Sequence, residues 1–346
     1  MAASTRRRPQ HGGRTAAGAL LALAVLLAAS CAPRLAPPGP GPTAPRLGAD
    51  RLIAGDGLEL PLRVWLPEDG AAPKAVILAL HGFNDYSNAF EDPGRYWAAR
   101  GLATFAYDQR GFGQAPHRGL WAGTATMTAD LSAAARVLRA RYPAVPLYLL
   151  GDSMGGAVVL AAMTGPEPPV GDGVILVAPA VWARSTMPLL HRLSLWLGAH
   201  TLPWLTVSGR GLNIQASDNI EMLRALGRDP LYIKETRIDA LHGLVDLMDT
   251  ALAAAPRFAA PALLLYGAKD EVVPEDPSLQ LWLALPETAR ARQRRALYEG
   301  GWHMLLRDLE AEVVLNDIVH WIEHPRAPLP SGAEARALAR LGAGTE

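Results

Sequence analysis

Residues 149–160 read LLGDSMGGAVVL, and the placement of their glycines is unusual for a strand that simply runs into a helix. An apolar run ends at Gly151, Ser153 stands between Gly151 and Gly155, and apolar residues resume directly afterwards. The pattern G-x-S-x-G is typical of a very sharp turn in which a side chain at either glycine would collide with the neighbouring strand or helix. We therefore predict that Ser153 is a nucleophile lifted above a sheet, with the backbone amide of Met154 beside it.

The rest of the chain predicts the sheet that such a turn needs. Short apolar runs fit the strands of a largely buried parallel sheet, and the amphipathic stretches between them fit helices. The strand-like runs are residues 62–66, 74–80, 103–107, 145–150, 173–177 and 261–266, and the helical stretches are residues 128–141, 154–163, 277–285 and 309–322. Because the two alternate, the sequence predicts an α/β fold with a mostly parallel, doubly wound sheet that binds ligands at the carboxyl ends of its strands.

The composition excludes several classes of function. The 346 residues carry 33 basic and 33 acidic side chains and are 50% hydrophobic, which indicates neither disorder nor nucleic-acid binding. The chain contains no GxxxxGKS/T, HExxH or CxxC motif, and the GFG of residues 111–113 opens no helix, so it is not a dinucleotide-binding loop. We expect no metal, no cofactor and no nucleic-acid partner.

A serine is a weak nucleophile without a base, and in this kind of fold the chain order should be serine, acid, histidine. His303 lies in the loop YEGGWH directly after a predicted last strand, and two glycines before it let the loop bend toward the carboxyl edge of the sheet. The other histidines precede the serine, lie in an insertion between strands or belong to a helix. Asp270 is the first carboxylate after the strand at residues 261–266, and Glu271 is its competitor. We expect Asp270 to fix the imidazole tautomer and to stabilise the imidazolium that forms.

A second donor for the developing oxyanion is expected in the HGF loop that follows the strand KAVILAL. The amide of Phe83 can point, with that of Met154, at charge that exists only in the transition state. We interpret His81 as a structural loop residue. Asp108 and Arg110 are interpreted as residues that tie loops together, because an acid that precedes the serine breaks the chain order.

Six motifs together carry a resemblance to a known family. They are HGF at 81–83, DQRGFGQ at 108–114, GDSMGG at 151–156, RDPLY at 228–232, GAKDEVVP at 267–274 and YEGGWH at 298–303. From about residue 50 to 325 the chain resembles α/β-hydrolases of the monoacylglycerol lipase and lysophospholipase group, within the serine aminopeptidase-like clan. Two departures concern the substrate rather than the reaction type: Asp152 precedes the nucleophile where these lipases often have histidine, and Asn84-Asp85 follows HGF where they more often have Gly-Glu-His.

The resemblance implies an α/β-hydrolase fold with a helical cap inserted between sheet strands, at about residues 180–256. The residues it implies for the site are Ser153, Asp270 and His303 as the catalytic triad, and Phe83 and Met154 as the oxyanion donors. The family's acyl-binding pocket forms beneath the cap, so we expect Trp196 and Trp204 to bind substrate there. The alternative is plain packing of an apolar stripe. Each buried methylene of a substrate chain contributes about 0.8 kcal/mol.

We therefore expect a serine ester hydrolase that acts on acyl or lipid esters through an acyl-enzyme, similar to monoacylglycerol lipases or lysophospholipases. Acyl transfer, thioester hydrolysis and peptide cleavage use the same machinery and remain alternatives. A non-catalytic binding module of hydrolase fold in the cell envelope is the alternative from another class. A complete triad in the right order favours the enzyme.

The N-terminus resembles a bacterial export signal. Arginines precede an apolar stretch at residues 16–29, which is short for a membrane span but suits a secretory signal. Residues 27–31, LAASC, resemble the lipobox of lipoproteins, and Cys31 is the chain's single cysteine. We predict acylation of Cys31 and attachment to the cell envelope by this lipid anchor. The outer membrane is favoured because Ala32 stands where an inner-membrane retention signal more often has aspartate; a secreted or periplasmic protein is the alternative.

The predicted organisation has four parts. Residues 1–30 form the signal peptide, residues 31–46 the lipidated cysteine and a Pro-rich linker, residues 47–325 the hydrolase domain and residues 326–346 a C-terminal tail. The linker is rich in proline, which favours extended conformations and predicts a spacer between anchor and domain. Removal of the signal takes away four arginines and no acid, and the resulting net charge of about −4 disfavours electrostatic docking on an anionic bilayer.

Overall fold

The computed structural model of the protein describes residues 32–211 and 213–343. Its strands are β1 (Arg46–Leu47), β2 (Arg51–Ile53), β3 (Glu59–Trp65), β4 (Ala75–Leu80), β5 (Leu102–Tyr107), β6 (Leu147–Asp152), β7 (Gly173–Val177), β8 (Thr206–Val207), β9 (Thr236–Arg237), β10 (Ala262–Gly267) and β11 (Gln293–Tyr298). Its α-helices are α1 (Glu91–Ala98), α2 (Thr124–Arg141), α3 (Met154–Met163), α4 (Leu189–Thr201), α5 (Ile220–Arg228), α6 (Ile238–Ala254), α7 (Glu275–Ala284), α8 (Ala311–Glu323) and α9 (Ala333–Ala343).

A nine-stranded sheet of the described residues runs in the order β1-β2-β3-β5-β4-β6-β7-β10-β11. The strands from β5 to β11 in this order are parallel. The strands β1, β2 and β3 add an antiparallel edge, and β8 pairs with β9 in a separate ribbon. The predicted fold class, a mostly parallel sheet with intervening helices, is confirmed. Every predicted strand and helix has a counterpart near its expected position.

Helices cover both faces of the sheet, which explains why its strands are apolar throughout. All six residues of β4 are buried, and successive side chains of a strand point to opposite faces. Val76, Leu78 and Leu80 pack in one cluster with residues of α2, α3 and α6. Ala75, Ile77 and Ala79 pack in a second cluster with residues of α1 and α8. Two dry faces leave no polar positions in such a strand.

The predicted cap lies where expected in the chain, between β7 and β10, but it divides into two parts. Helix α6 packs against α3, and Leu247, Ala251 and Ala254 on it are fully buried, so it belongs to the helical layer of the sheet. Helix α4, the β8–β9 ribbon and α5 precede it, and of α4 and α5 together only Ala199 is buried. The covering part of the insertion is therefore the segment before α6.

The Pro-rich segment predicted as a spacer is bound to the domain over most of its length. We call residues 34–45 the strap. The amide of Ala36 donates to the carbonyl of Trp121 at 2.7 Å, and the amide of Gly39 donates to the carboxylate of Asp56 at 2.7 Å. Extended Pro-rich backbone makes no hydrogen bonds within itself, so its amides and carbonyls are free to bond to a neighbouring loop. Cys31 and the predicted signal peptide lie outside the described residues.

The predicted C-terminal tail contains helix α9, which packs against β11. Ala333 and Ala337 are fully buried, and Glu334 accepts a hydrogen bond from Arg294 at 2.8 Å. The folded domain thus continues past residue 325. Among the helices in residues 32–211 and 213–343, none is long and apolar enough to cross a bilayer.

Candidate active site

Ser153 stands at the junction of β6 and α3 with a backbone conformation that L-residues rarely adopt, φ 50° and ψ −112°. A β-carbon at Gly155 would lie 2.2 Å from the carbonyl oxygen of Leu80, and one at Gly151 would lie 2.4 Å from the backbone of Gly155. The strain at such a residue costs about 1–3 kcal/mol and persists only where neighbours hold it. The amide of Ser153 donates to the carbonyl of Val177 at 2.9 Å, which is one of the bonds that hold it.

The three residues predicted to form a triad lie in one hydrogen-bonded row. The Nε2 atom of His303 is 2.9 Å from Oγ of Ser153, and its Nδ1 atom is 2.7 Å from Oδ2 of Asp270. The serine follows β6, the aspartate follows β10 and the histidine follows β11. Because the carboxyl ends of parallel strands share one edge of a sheet, residues 150 positions apart along the chain meet there.

Asp270, rather than Glu271, faces the imidazole. Its side chain is fully buried, and its second oxygen accepts hydrogen bonds from the amides of Val272 at 2.8 Å and Val273 at 2.9 Å. Glu271 instead accepts a hydrogen bond from the amide of Gln215 in the cap, at 2.7 Å. Since a carboxylate at Nδ1 keeps the proton there, the lone pair of Nε2 points at the serine hydroxyl.

Nearby carboxylates set the charge state of the site. Burial by itself lowers the pKa of His303, but the charge and hydrogen bond of Asp270, with Asp152 and Asp308 close by, outweigh it and raise the pKa above its ordinary value. Burial raises the pKa of Asp152 to about 6, against the opposing effects of His303 and Arg307. A raised pKa makes the imidazole a stronger base toward the serine proton.

The loop that carries Phe83 lies directly over the serine. A β-carbon at Gly82 would be 3.3 Å from the β-carbon of Ser153, so only glycine permits this approach without displacement. Phe83 is held by an edge contact with the ring of Phe112 and a tilted contact with the ring of Trp121, at centroid distances of 5.5 and 6.4 Å. Its amide and that of Met154, the first residue of α3, donate to no other described residue. Both donors are therefore free to bind an oxyanion.

The loop residues set apart from catalysis in the sequence analysis are structural. His81 is fully buried, and its ring joins the carbonyl of Gly82 at 2.8 Å to the amide of Gln109 at 2.9 Å. Since the amide can only donate, the proton of this neutral imidazole lies on Nδ1. Burial is also the main cause that lowers the pKa of His81. Asp108 accepts three hydrogen bonds from neighbouring loop residues.

Arg110 links three parts of the fold through paired hydrogen bonds. Its guanidinium bonds both oxygens of Asp130 on α2, at 2.6 and 2.8 Å, and both oxygens of Asp56, at 2.7 and 2.8 Å. Asp56 in turn binds Gly39 of the strap. Bidentate pairs of this kind fix geometry as well as charge.

The serine opens into a cavity of about 570 Å³, a size typical of small-molecule sites. Its apolar wall comes from the cap, α6 and the loops after β10 and β11, and comprises Trp182, Met187, Leu195, Leu241, Leu244, Val245, Met248, Val272, Val273 and Met304. This wall runs up to Ser153 and His303, which also line the cavity. The arrangement places an apolar chain and a reactive hydroxyl in one chamber.

Trp196 and Trp204 are not part of this wall, which corrects the expectation that they bind substrate. They are 57% and 49% exposed, and neither lines the cavity. Successive residues of an α-helix are turned by about 100°, so Leu195 faces the cavity while Trp196 points away from it. The ring of Trp196 stacks on His200, at a centroid distance of 4.6 Å. The tryptophan that does line the cavity is Trp182.

A polar end of the cavity was not anticipated from the sequence. Asp85, Asp152, Tyr232 and Arg307 line it, and Arg307 bonds Asp85 at 2.5 Å with both side chains largely buried. The carboxylate of Asp152 has no hydrogen-bond partner among the described side chains and amides. A charged residue in the apolar run MLLRDL was the available signal for Arg307, but its partner lies 222 residues away.

Comparison with known proteins agrees with this geometry. The family model described as serine aminopeptidase, S33, matches residues 71–310, which is more than half of the chain. The chain belongs to this family. As a member of the S33 family with this triad geometry, it is a lipase-like serine hydrolase.

Several proteins that are similar to this chain carry lipase names. The chain is 27% identical to the monoglyceride lipase of Mus musculus over 81% of its length and 92% of the mouse protein. It is 25% identical to the monoacylglycerol lipase of Mycolicibacterium smegmatis over 77% of its length and 93% of that protein. The crystal structure of the Paleococcus ferrophilus monoacylglycerol lipase superposes with a TM-score of 0.60 and 23% identity, covering 77% of this chain and 98% of that one. This structural likeness establishes the α/β-hydrolase fold.

Proposed function

We propose that the protein hydrolyses monoacylglycerols and related long-chain acyl esters to a fatty acid and an alcohol. The observation that carries the proposal is the Ser153–His303–Asp270 row, whose serine and histidine line a largely apolar cavity of about 570 Å³. Relatives named as monoacylglycerol lipases support the choice of substrate. The apolar wall fits an acyl chain, since each methylene buried there contributes about 0.8 kcal/mol.

Each residue of the row has one role. His303 takes the proton of Ser153 through Nε2 while the serine oxygen bonds to the ester carbon, and the amides of Phe83 and Met154 bind the oxyanion. The bond from carbon to the alcohol oxygen then breaks, and His303 gives its proton to the leaving alcohol. Water then gives a proton to the same nitrogen while its oxygen bonds to the acyl carbon. The bond from that carbon to Ser153 breaks, the fatty acid is released, and His303 returns the proton to the serine oxygen. Asp270 orients the imidazole and stabilises its charged form without taking the proton.

The polar end of the cavity suits the alcohol half of the substrate. Hydroxyl groups of a glycerol can donate to the carboxylate of Asp152 and accept from the guanidinium of Arg307, beside the phenol of Tyr232. A ligand that leaves the buried polar groups of a site unpaired binds less tightly, because their desolvation is then not compensated. This end therefore favours a small polyol over an apolar alcohol.

The test is the release of fatty acid from a long-chain monoacylglycerol by the purified protein and by its Ser153→Ala variant. We expect a loss of about six orders of magnitude in kcat for Ser153→Ala and a similar loss for His303→Ala, because the residues act as a unit. Ser132→Ala on α2 is the matched control, since Ser132 is buried but lies away from the cavity. A Ser153→Ala enzyme that kept a tenth of its activity would refute the assignment.

Substrate class is decided with the same preparation. Wild-type protein should react with a fluorophosphonate probe and should cleave the monoacylglycerol faster than an amino-acid anilide. A folded protein inert to the probe would instead be a binding module, and preferential cleavage of the anilide would make it a peptidase. Transfer of the acyl group to an added alcohol in preference to water would make it an acyltransferase.

We further propose that the protein is an exported lipoprotein, acylated at Cys31 and held at the bacterial cell envelope, in the outer membrane where there are two. The proposal is supported by the arginine-led apolar signal at residues 16–29 and by the position of the single cysteine after LAAS. Two or more acyl chains hold a protein stably on a bilayer where one does not.

Incorporation of a labelled fatty acid into the protein tests the anchor. The wild-type protein should take up the label and Cys31→Ser should not, while hydrolysis of a soluble ester stays the same because the triad lies far along the chain. A wild-type protein without label, in the soluble or periplasmic fraction, would establish plain secretion instead.

A further inference from the structure

Asp152 carries a buried negative charge that forms no ion pair with a described residue. Its side chain lines the cavity, the residue is only 8% exposed, and its carboxylate accepts no hydrogen bond from the described part of the chain. Burial of an unpaired carboxylate is costly, and burial is the main cause that raises the pKa of Asp152 to about 6. At neutral pH the group is therefore an anion that faces the cavity without a protein partner among the described residues.

The other charges at the polar end of the cavity are already paired. Arg307 donates to Oδ2 of Asp85 at 2.5 Å, and the other oxygen of Asp85 accepts the amide of Tyr86 at 2.9 Å. The guanidinium and this carboxylate therefore cancel each other. Because Asp152 adds a second carboxylate, the three side chains leave one net negative charge. This end of the cavity attracts a cation and repels an anion.

The unpaired carboxylate lies beside the reacting serine. A β-carbon at Gly82 would be 3.3 Å from the β-carbon of Ser153 and 3.8 Å from Oδ2 of Asp152, so both atoms lie under the same point of the HGF loop. A cationic group bound at this carboxylate would therefore be close to the ester bond that Ser153 attacks. The charge is placed where it acts on the reaction as well as on binding.

A neutral alcohol leaves this charge uncompensated during the reaction. The oxyanion that forms on attack is negative, and an unpaired carboxylate nearby repels it. A positive charge in the alcohol half of the ester would attract both the carboxylate and the oxyanion. Tyr232 lines the same end of the cavity, and aromatic rings also attract ammonium groups.

We propose that the polar end of the cavity selects esters of cationic alcohols, and that Asp152 is the residue that determines this selectivity. The substrate class is a fatty acyl ester of an amino alcohol that carries a protonated or quaternary ammonium group. Hydrolysis follows the steps given above, and its products are a fatty acid and the free amino alcohol. This inference rests on the proposed ester hydrolysis and narrows its alcohol from polar to cationic.

Three esters with the same hexanoyl chain test the selectivity. They are the choline ester, its uncharged isostere in which carbon replaces the ammonium nitrogen, and the monoacylglycerol. The first two have the same shape and differ in charge. Because an ammonium group by itself makes an ester more reactive, the ratio of their kcat/KM values is compared between variants, where this intrinsic difference cancels.

The expected result is a change of the ratio in one variant only. In Asp152→Asn the ratio of kcat/KM for the choline ester to that for the isostere should fall by about tenfold, because the ion pair with the ammonium group is lost. Asp50→Asn removes the same charge from a side chain that is 78% exposed and does not line the cavity. Its ratio should equal that of wild type.

A second measurement needs no substitution at Asp152. In wild-type protein the ratio should be higher at about pH 8 than at about pH 5, because Asp152 is largely protonated below about pH 6. Both esters need the neutral form of His303, so titration of this base cancels in the ratio. The choline ester keeps its charge at both pH values. The charged groups that act on the pKa of Asp152 are His303, Arg307, Asp85 and Asp270.

Either of two results would overturn the inference. They are an equal ratio in wild type and Asp152→Asn, and a wild-type ratio that does not change with pH. The monoacylglycerol separates these results from the proposed function. If wild type cleaves it, Ser153→Ala does not and the ratio stays constant, ester hydrolysis stands and cation selectivity fails. If wild type cleaves none of the three esters, ester hydrolysis itself fails, and the inference fails with it.

Discussion

Replacing Asp152 by asparagine probes the most unusual charge in the site. Asp152 directly precedes the nucleophile and is 8% exposed, and its carboxylate accepts no hydrogen bond from the described residues. Asparagine has nearly the same shape and no charge. The substitution therefore removes an electrostatic cost while it leaves the turn, the triad and the cavity walls in place.

The size of the stability change follows from the pKa of the Asp152 carboxyl. Burial raises the pKa of Asp152 from 3.8 to about 6, and one pKa unit corresponds to about 1.4 kcal/mol. Because the folded-state pKa lies above the unfolded value, the native protein holds an extra proton between about pH 4 and pH 6. The stability from this proton is full below pH 4 and is lost as the pH rises through 6. The loss at neutral pH is of the order of 3 kcal/mol.

Urea unfolding of wild type and of Asp152→Asn at about pH 4 and about pH 7.5, followed by tryptophan fluorescence, measures this loss of stability. The free energy of unfolding of Asp152→Asn should exceed that of wild type by more at the higher pH than at the lower, and the two excesses should differ by about 3 kcal/mol. Asp50→Asn is the control, since the side chain of Asp50 is 78% exposed. Its free energy of unfolding should differ from that of wild type by the same amount at both pH values. An equal difference at both pH values for Asp152→Asn would refute the burial argument.

The same substitution has a catalytic readout. The charge of Asp152 is one of the causes that raise the pKa of His303, and His303 must be neutral to accept the serine proton. In Asp152→Asn the acidic limb of the kcat/KM profile should therefore move to lower pH. A limb that stayed in place would show that Asp152 does not act on the base.

Three further predictions concern the triad, the cavity and the turn. Asp270→Asn should lower kcat by about four orders of magnitude because the imidazole tautomer is lost, whereas Glu271→Gln should stay within about twofold; steady-state kinetics decide between them. Leu244→Asn should lower kcat/KM for a long-chain ester by about tenfold relative to an acetate ester, and Trp196→Asn should affect both alike, since only Leu244 lines the cavity. Gly155→Ala should unfold the protein or lower its Tm sharply, because its β-carbon would meet the carbonyl oxygen of Leu80 at 2.2 Å. Gly227→Ala on α5, where no atom lies within 4 Å, should be neutral or stabilising by up to about 1 kcal/mol in thermal melts.

The catalytic row could be anticipated from the sequence because its causes are local. The close backbone contacts at the turn require glycine at positions 151 and 155, and this requirement is visible in the sequence. The carboxyl ends of parallel strands bring the residues after each strand to one edge of the sheet. An apolar run followed by a carboxylate or by a glycine-led histidine is visible without any tertiary contact. Asp270, His303 and Ser153 meet for that reason.

The walls of the cavity could not be anticipated in the same way. Helix α4 is apolar around much of its circumference, and its periodicity does not say which side meets the domain. Packing against Ile238, close to Gly198, turns Leu195 inward and Trp196 outward. Trp196 therefore does not reach the cavity because of the orientation of α4, although its residue type suits an apolar wall.

Long-range pairs belong wholly to the tertiary structure. Arg307 and Asp85 are 222 residues apart, and Arg34 and Asp239 are 205 residues apart, so no local pattern links either pair. Proline content indicated an extended segment at residues 34–45, but its bonds to Trp121 and to the carboxylate of Asp56 make it a strap. Sequence determines what each residue can donate or accept by itself. Which partner it finds depends on the closure of loops hundreds of residues long, and that is decided by the packed sheet.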